Sequence, residues 1–100
     1  MTQLIELSGP TLNPASGASA LSLVILLHGV GADGNDLIGL APHFARALPD
    51  TAFVSPNAPY PCDMAPMGYQ WFSIQTPDAA LRLAEIRQTA EILNLSLIHI

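Results

Sequence analysis

Lysine is absent from this sequence, and arginine stands at only three positions, Arg46, Arg82 and Arg87, against eight acidic residues. With a net charge of −5 there is no basic stripe to lay along a phosphate backbone or an anionic headgroup layer. Nucleic acid and charged membrane surfaces are therefore excluded as partners. Cysteine is nearly absent too: Cys62 alone excludes an internal disulfide and a cysteine-rich metal site. Long apolar runs are missing. The longest, residues 23–27 (LVILL), is far too short to cross a bilayer, so no stable membrane insertion is expected. The first residues carry Glu6 and lack the basic and apolar regions of a signal peptide, which leaves a cytoplasmic location as the expectation.

What the chain has is apolar content. Half of its 100 residues are hydrophobic, only 11% are charged, and mean hydropathy is +0.38. A chain of this size buries roughly two-thirds of the surface it exposes when unfolded. This composition excludes disorder and suits strands and helices surrounded by further protein.

Residues 2–7 alternate weakly, as a short edge strand does. Residues 8–20, rich in Gly, Pro, Ser, Ala and Asn, read as a loop. Residues 21–27 (LSLVILL) are apolar on both faces, the pattern of a strand covered by helices on both sides. A glycine-rich turn, residues 28–34 (HGVGADG), follows. Asn35 or Asp36 then caps a helix expected to run to Leu48, with Leu37, Leu40, Ala41, Phe44 and Leu48 spaced by three or four. Residues 51–55 (TAFVS) form a second strand, so strand, helix and strand make a βαβ unit with parallel strands. Residues 56–68 hold four prolines and form a long loop of the kind that tends to carry function. A brief strand is expected at residues 71–74. A second helix opens at Pro77-Asp78, with Ala79, Leu83, Ile86, Ala90 and Leu93 on one face and Arg87 and Glu91 on its exposed side.

The glycine turn admits three readings. Gly29, Gly31 and Gly34 satisfy the G-x-G-x-x-G fingerprint of dinucleotide binding, but the next strand ends Phe53-Val54-Ser55-Pro56 with no acid about 20 residues on to hold a ribose. Alternatively the turn is an oxyanion loop. Acyl transfer builds negative charge on a carbonyl oxygen, and fixed backbone N–H groups stabilise it without reorganising; Val30 N–H is then the candidate donor. The third reading is a βα turn with no ligand. His28 alone suits a hydrogen-bonded turn residue better than a catalytic base, and His43 sits beside the helix's apolar stripe as a boundary residue.

VILLHGVGADGNDLIGLAPHFARALP, then FVSPNAPYPC, then MGYQWFSIQ, resembles the opening of the phospholipase/carboxylesterase family that includes the acyl-protein thioesterases. LHG-x-G alone occurs across many hydrolases; followed in order by PNAP and QWF it is specific. The resemblance spans residues 23–75. It implies an α/β fold, the N-terminal part of an α/β-hydrolase with a parallel sheet and flanking helices. It also implies that Val30 N–H is a catalytic oxyanion donor and that Gly29 and Gly31 shape the hole. The loop from Pro56 to Trp71 would line the acyl pocket, with Trp71 either a substrate contact or a core anchor.

That family places its nucleophile in G-x-S-x-G, with Asp and His later. None of Ser8, Ser16, Ser19, Ser22, Ser55, Ser73 or Ser96 has such a context, and Cys62 lies in a proline-rich loop with no base nearby. The nucleophile, acid and base are thus expected beyond this chain, which is expected to be inactive alone. Residues 95–100 (LSLIHI) suit a further strand but also match the in-frame translation of a transposase adapter used in library preparation. They are read as a non-native tail behind a partial hydrolase domain at residues 1–94. The expected function of the parent is a serine carboxylesterase or thioesterase acting on small acyl esters, acyl-thioesters or lysophospholipids, without cofactor or metal. The alternative is a non-catalytic α/β binding module.

Overall fold

Two parallel strands form the centre of the molecule, as the βαβ pattern requires. The computed structural model describes residues 7–97. The strand expected from Thr2 lies outside them except for Leu7, which is not in a strand. In chain order the elements are β1 (Thr11–Leu12), β2 (Ser22–Ile25), α1 (Gly34–Ile38), α2 (Ala41–Ala45), β3 (Thr51–Val54), β4 (Tyr60–Pro61), β5 (Tyr69–Gln70) and α3 (Ala79–Leu97). β2 pairs parallel to β3, with Val24 opposite Phe53, and β1 pairs antiparallel on the other side of β3. The order β1-β3-β2 leaves β3 central and β2 at the edge. Phe53 is fully buried among Ala41, Ala45, Leu12, Val24 and Ile38, which makes α2 and the β3 face the core.

The single helix expected over residues 35–48 is two helices. Pro42 lies in the first turn of α2, where its missing N–H costs nothing. In a continuous helix it would lose its bond to Ile38 and crowd that carbonyl. The chain closes α1 instead with Leu40 N–H donating to Leu37 at 2.9 Å, then restarts. The cap of α1 is Asp33 rather than Asn35 or Asp36: its carboxylate accepts the Asn35 N–H at 2.9 Å.

The proline-rich loop also departs from expectation. β4 and β5 form a small antiparallel ladder, Tyr60 opposite Gln70, and residues 71–74 turn instead of making a strand. α3 is capped by Asp78, whose side chain accepts the Ala80 N–H at 2.8 Å. It runs past the expected end at Asn94 to Leu97.

The expected apolar stripe of α3 is not its packed face. Thr89, Ile92 and Ser96 are buried, while Leu83 is 47% and Ile86 40% exposed. Hydrogen bonding selects the face. Thr89 Oγ1 donates to the Trp71 carbonyl, Thr76 Oγ1 to Glu85, Arg82 to the Thr76 carbonyl, and Leu7 N–H to Ser96 Oγ. Arg82, Glu85, Thr89, Ile92 and Ser96 are spaced three and four apart, so one side of the helix makes all these contacts. Leu27, Trp71, Phe72, Ile86, Ala90 and Leu93 line an open apolar groove of about 230 Å³ beside it.

β2 likewise differs from the doubly covered strand its sequence predicts. Leu23 is 42% exposed and Leu27 48%, and among the described residues β2 has a strand on one flank only. No helix of the described residues is long and apolar enough to cross a membrane.

Candidate functional site at the end of the edge strand

β2 delivers the chain into the glycine turn, and five neighbouring residues hold that turn. Leu26 N–H still bonds the Val54 carbonyl at 2.8 Å, so the strand geometry continues one residue beyond β2. His28, 3% exposed, uses both ring nitrogens: Nε2 accepts the Ala58 N–H at 3.0 Å and Nδ1 lies 2.7 Å from the Gly29 carbonyl oxygen. The turn-residue reading of His28 is thus the observed one. Trp71 Nε1 donates to the His28 carbonyl at 2.9 Å, and the two rings lie 5.4 Å apart at a 34° tilt. Trp71 therefore anchors the turn, and its other side lines the apolar groove.

The far half of the turn is tied to β5 and β3. Gly31 N–H donates to the Tyr69 carbonyl at 3.0 Å, and Tyr69 N–H to the Ala32 carbonyl at 2.9 Å. Gly31 sits at φ +81°, a left-handed conformation that glycine adopts without strain. Asn57 Oδ1 accepts the Gly34 N–H at 2.6 Å, and the fully buried Ser55 Oγ donates to the Gly34 carbonyl at 2.7 Å. Ser55 is thereby committed as a structural donor. Sequence reasoning missed Asn57 and Ser55 as holders of the loop. The signal was present, since a polar Ser-Pro-Asn at the end of the neighbouring parallel strand must face the turn after β2.

Among the described residues, the Val30 N–H makes no hydrogen bond. Val30 is 48% exposed, and the space beside the Gly29 α-carbon is open, with nothing within 4 Å of a built β-carbon. An amide with no internal partner, on a half-exposed residue, can donate to an oxygen of a bound molecule. Cys62 is buried behind the loop, its Sγ 4.0 Å from a β-carbon built on Gly31. A second cleft of about 220 Å³ lies between the β4–β5 ladder and α3, lined by Tyr60, Gln70, Phe72, Ser73, Glu85 and Gln88. Among the described residues no group of three or more His, Cys, Asp or Glu is placed to hold a metal ion.

A strand ending in His-Gly, a glycine turn stapled to the next parallel strand, and a helix beyond it define the N-terminal part of an α/β-hydrolase. The family model for phospholipase/carboxylesterase matches residues 14–97, and the chain belongs to that family. Among solved structures it is similar to the crystal structure of esterase PE8, with 44% identity and a TM-score of 0.84. That match covers 95% of this chain and 45% of the esterase, so the chain spans less than half of its relative's length.

Proposed function

We propose that this chain supplies the oxyanion loop of a serine carboxylesterase or thioesterase, with Val30 N–H as a donor to the developing oxyanion. Gly29 and Gly31 shape the approach to that donor, and Trp71 borders the acyl side. The Val30 N–H, without a partner among the described residues, carries the reading. A donor already satisfied within the protein would have to break a bond to serve a substrate; this one does not. In this reading the nucleophile, acid and base come from residues outside this chain, in which no serine has a G-x-S-x-G context. The substrate is a small acyl ester, acyl-thioester or lysophospholipid, met in the cytoplasm without cofactor or metal.

The test is a chimera joining residues 1–94 to the part of esterase PE8 beyond the matched region. The folded chimera should hydrolyse short aryl esters, and Val30→Pro, which removes the N–H, should lower kcat by roughly 10² to 10³. A Val30→Pro chimera that turns over as fast as its parent would remove Val30 from the oxyanion hole. A folded chimera without esterase activity would favour the binding-module reading.

A further inference from the structure

We infer that His28 is the positioning residue that aims the Val30 N–H outward, by locking the peptide unit between Gly29 and Val30. Its purpose rests on the oxyanion reading of Val30; its geometry does not. Because Nε2 accepts the Ala58 N–H at 3.0 Å, it carries no proton, and the single proton of the neutral ring sits on Nδ1. Nδ1–H then donates to the Gly29 carbonyl at 2.7 Å. The same oxygen accepts the Ala32 N–H at 3.2 Å.

No peptide bond of the described residues is cis, so the carbonyl of Gly29 and the N–H of Val30 point in opposite directions within one rigid plane. Two donors holding the carbonyl inward leave the N–H facing out. Without His28 the plane would depend on the longer Ala32 bond alone, beside a glycine whose backbone torsions are the freest in the chain. A rotated plane would present a carbonyl oxygen where an oxyanion must sit. Trp71 completes the clamp. Its bond to the His28 carbonyl and its ring against the imidazole stop His28 from swinging away.

The two bonds of His28 can be separated by substitution. His28→Asn places an amide N–H near the position of Nδ1 and nothing at Nε2; His28→Gln reaches the Nε2 position and leaves Nδ1 vacant. Amide exchange and ¹H–¹⁵N shifts of the whole chain, with acetate titrated as the oxygen probe, give the readout. In the parent chain Ala32 should be protected and Val30 should not, and the Val30 amide should shift with acetate. His28→Gln should speed Ala32 exchange about tenfold and cut the Val30 response severalfold, while His28→Asn keeps both within about twofold. A His28→Gln chain indistinguishable from the parent overturns the proposal, as does a His28→Asn chain that loses as much. If His28→Gln does not fold, the ¹⁵N shifts of His28 in the parent decide: Nδ1–H supports the lock and Nε2–H overturns it. If Val30 in the parent ignores acetate, the oxyanion reading falls while the Ala32 contrast still judges the lock.

Discussion

Ser55 Oγ donates to the carbonyl of Gly34 at 2.7 Å, and a β-carbon built on Gly34 would stand 2.0 Å from the Ser55 carbonyl oxygen. The end of β3 and the start of α1 therefore touch backbone to backbone, and only glycine fits. Gly34→Ala should destabilise the chain by about 1–3 kcal/mol through forced overpacking. Ser55→Ala, which only removes a buried donor, should cost about 1 kcal/mol. Urea melts of the three chains check the order; an unchanged midpoint for Gly34→Ala would contradict the contact.

Trp71→Phe keeps a ring against His28 but removes the indole N–H. The loss of its bond to the His28 carbonyl should cost roughly 1 kcal/mol. Far-UV circular dichroism during urea unfolding measures this directly, since the substitution removes the only tryptophan. A variant as stable as the parent would mean the ring contact alone anchors the turn.

The chain as written should hydrolyse short-chain aryl esters no faster than a denatured control. Oxyanion donors contribute only part of the rate, and the serine that follows β3, Ser55, is buried and bonded. Purified activity that disappears on substituting a residue of this chain would refute this.

The groove formed by Leu27, Trp71, Ile86, Ala90 and Leu93 adjoins β2, an edge strand among the described residues. An exposed apolar edge is a template for association, and the 11% charge content opposes it weakly. Sedimentation velocity should show concentration-dependent self-association, reduced by the double substitution Ile86→Lys and Leu93→Lys. The urea midpoint should fall below about 3 M. A monomer at all concentrations with a higher midpoint would show that the groove needs no cover.

Much of the fold was legible because periodicity reports burial. The residue runs around Val24 and Phe53 are apolar over strand length, and the glycine turn between strand and helix marks the site. The break at Pro42 was legible as well, from a proline seven residues beyond Asn35 in an expected helix, yet the three-four apolar spacing outweighed it. Orientation was not legible. On α3 the apolar residues Leu83 and Ile86 point away from the packed side, where Thr89, Arg82 and Ser96 each bond a half-buried backbone group.

By itself the sequence determined the class of this protein: a βαβ unit, a His-Gly turn able to present an amide, and the family those residues resemble. Local propensity and spacing suffice there, since each depends on neighbours within a few positions. Only the tertiary structure decided which way the turn faces. The turn is held in one conformation because His28, Ala58, Tyr69, Asn57 and Trp71, up to 43 positions apart along the chain, converge on its seven residues. A peptide plane has no preferred direction until donors from elsewhere fix its carbonyl, and no local pattern encodes which donors arrive.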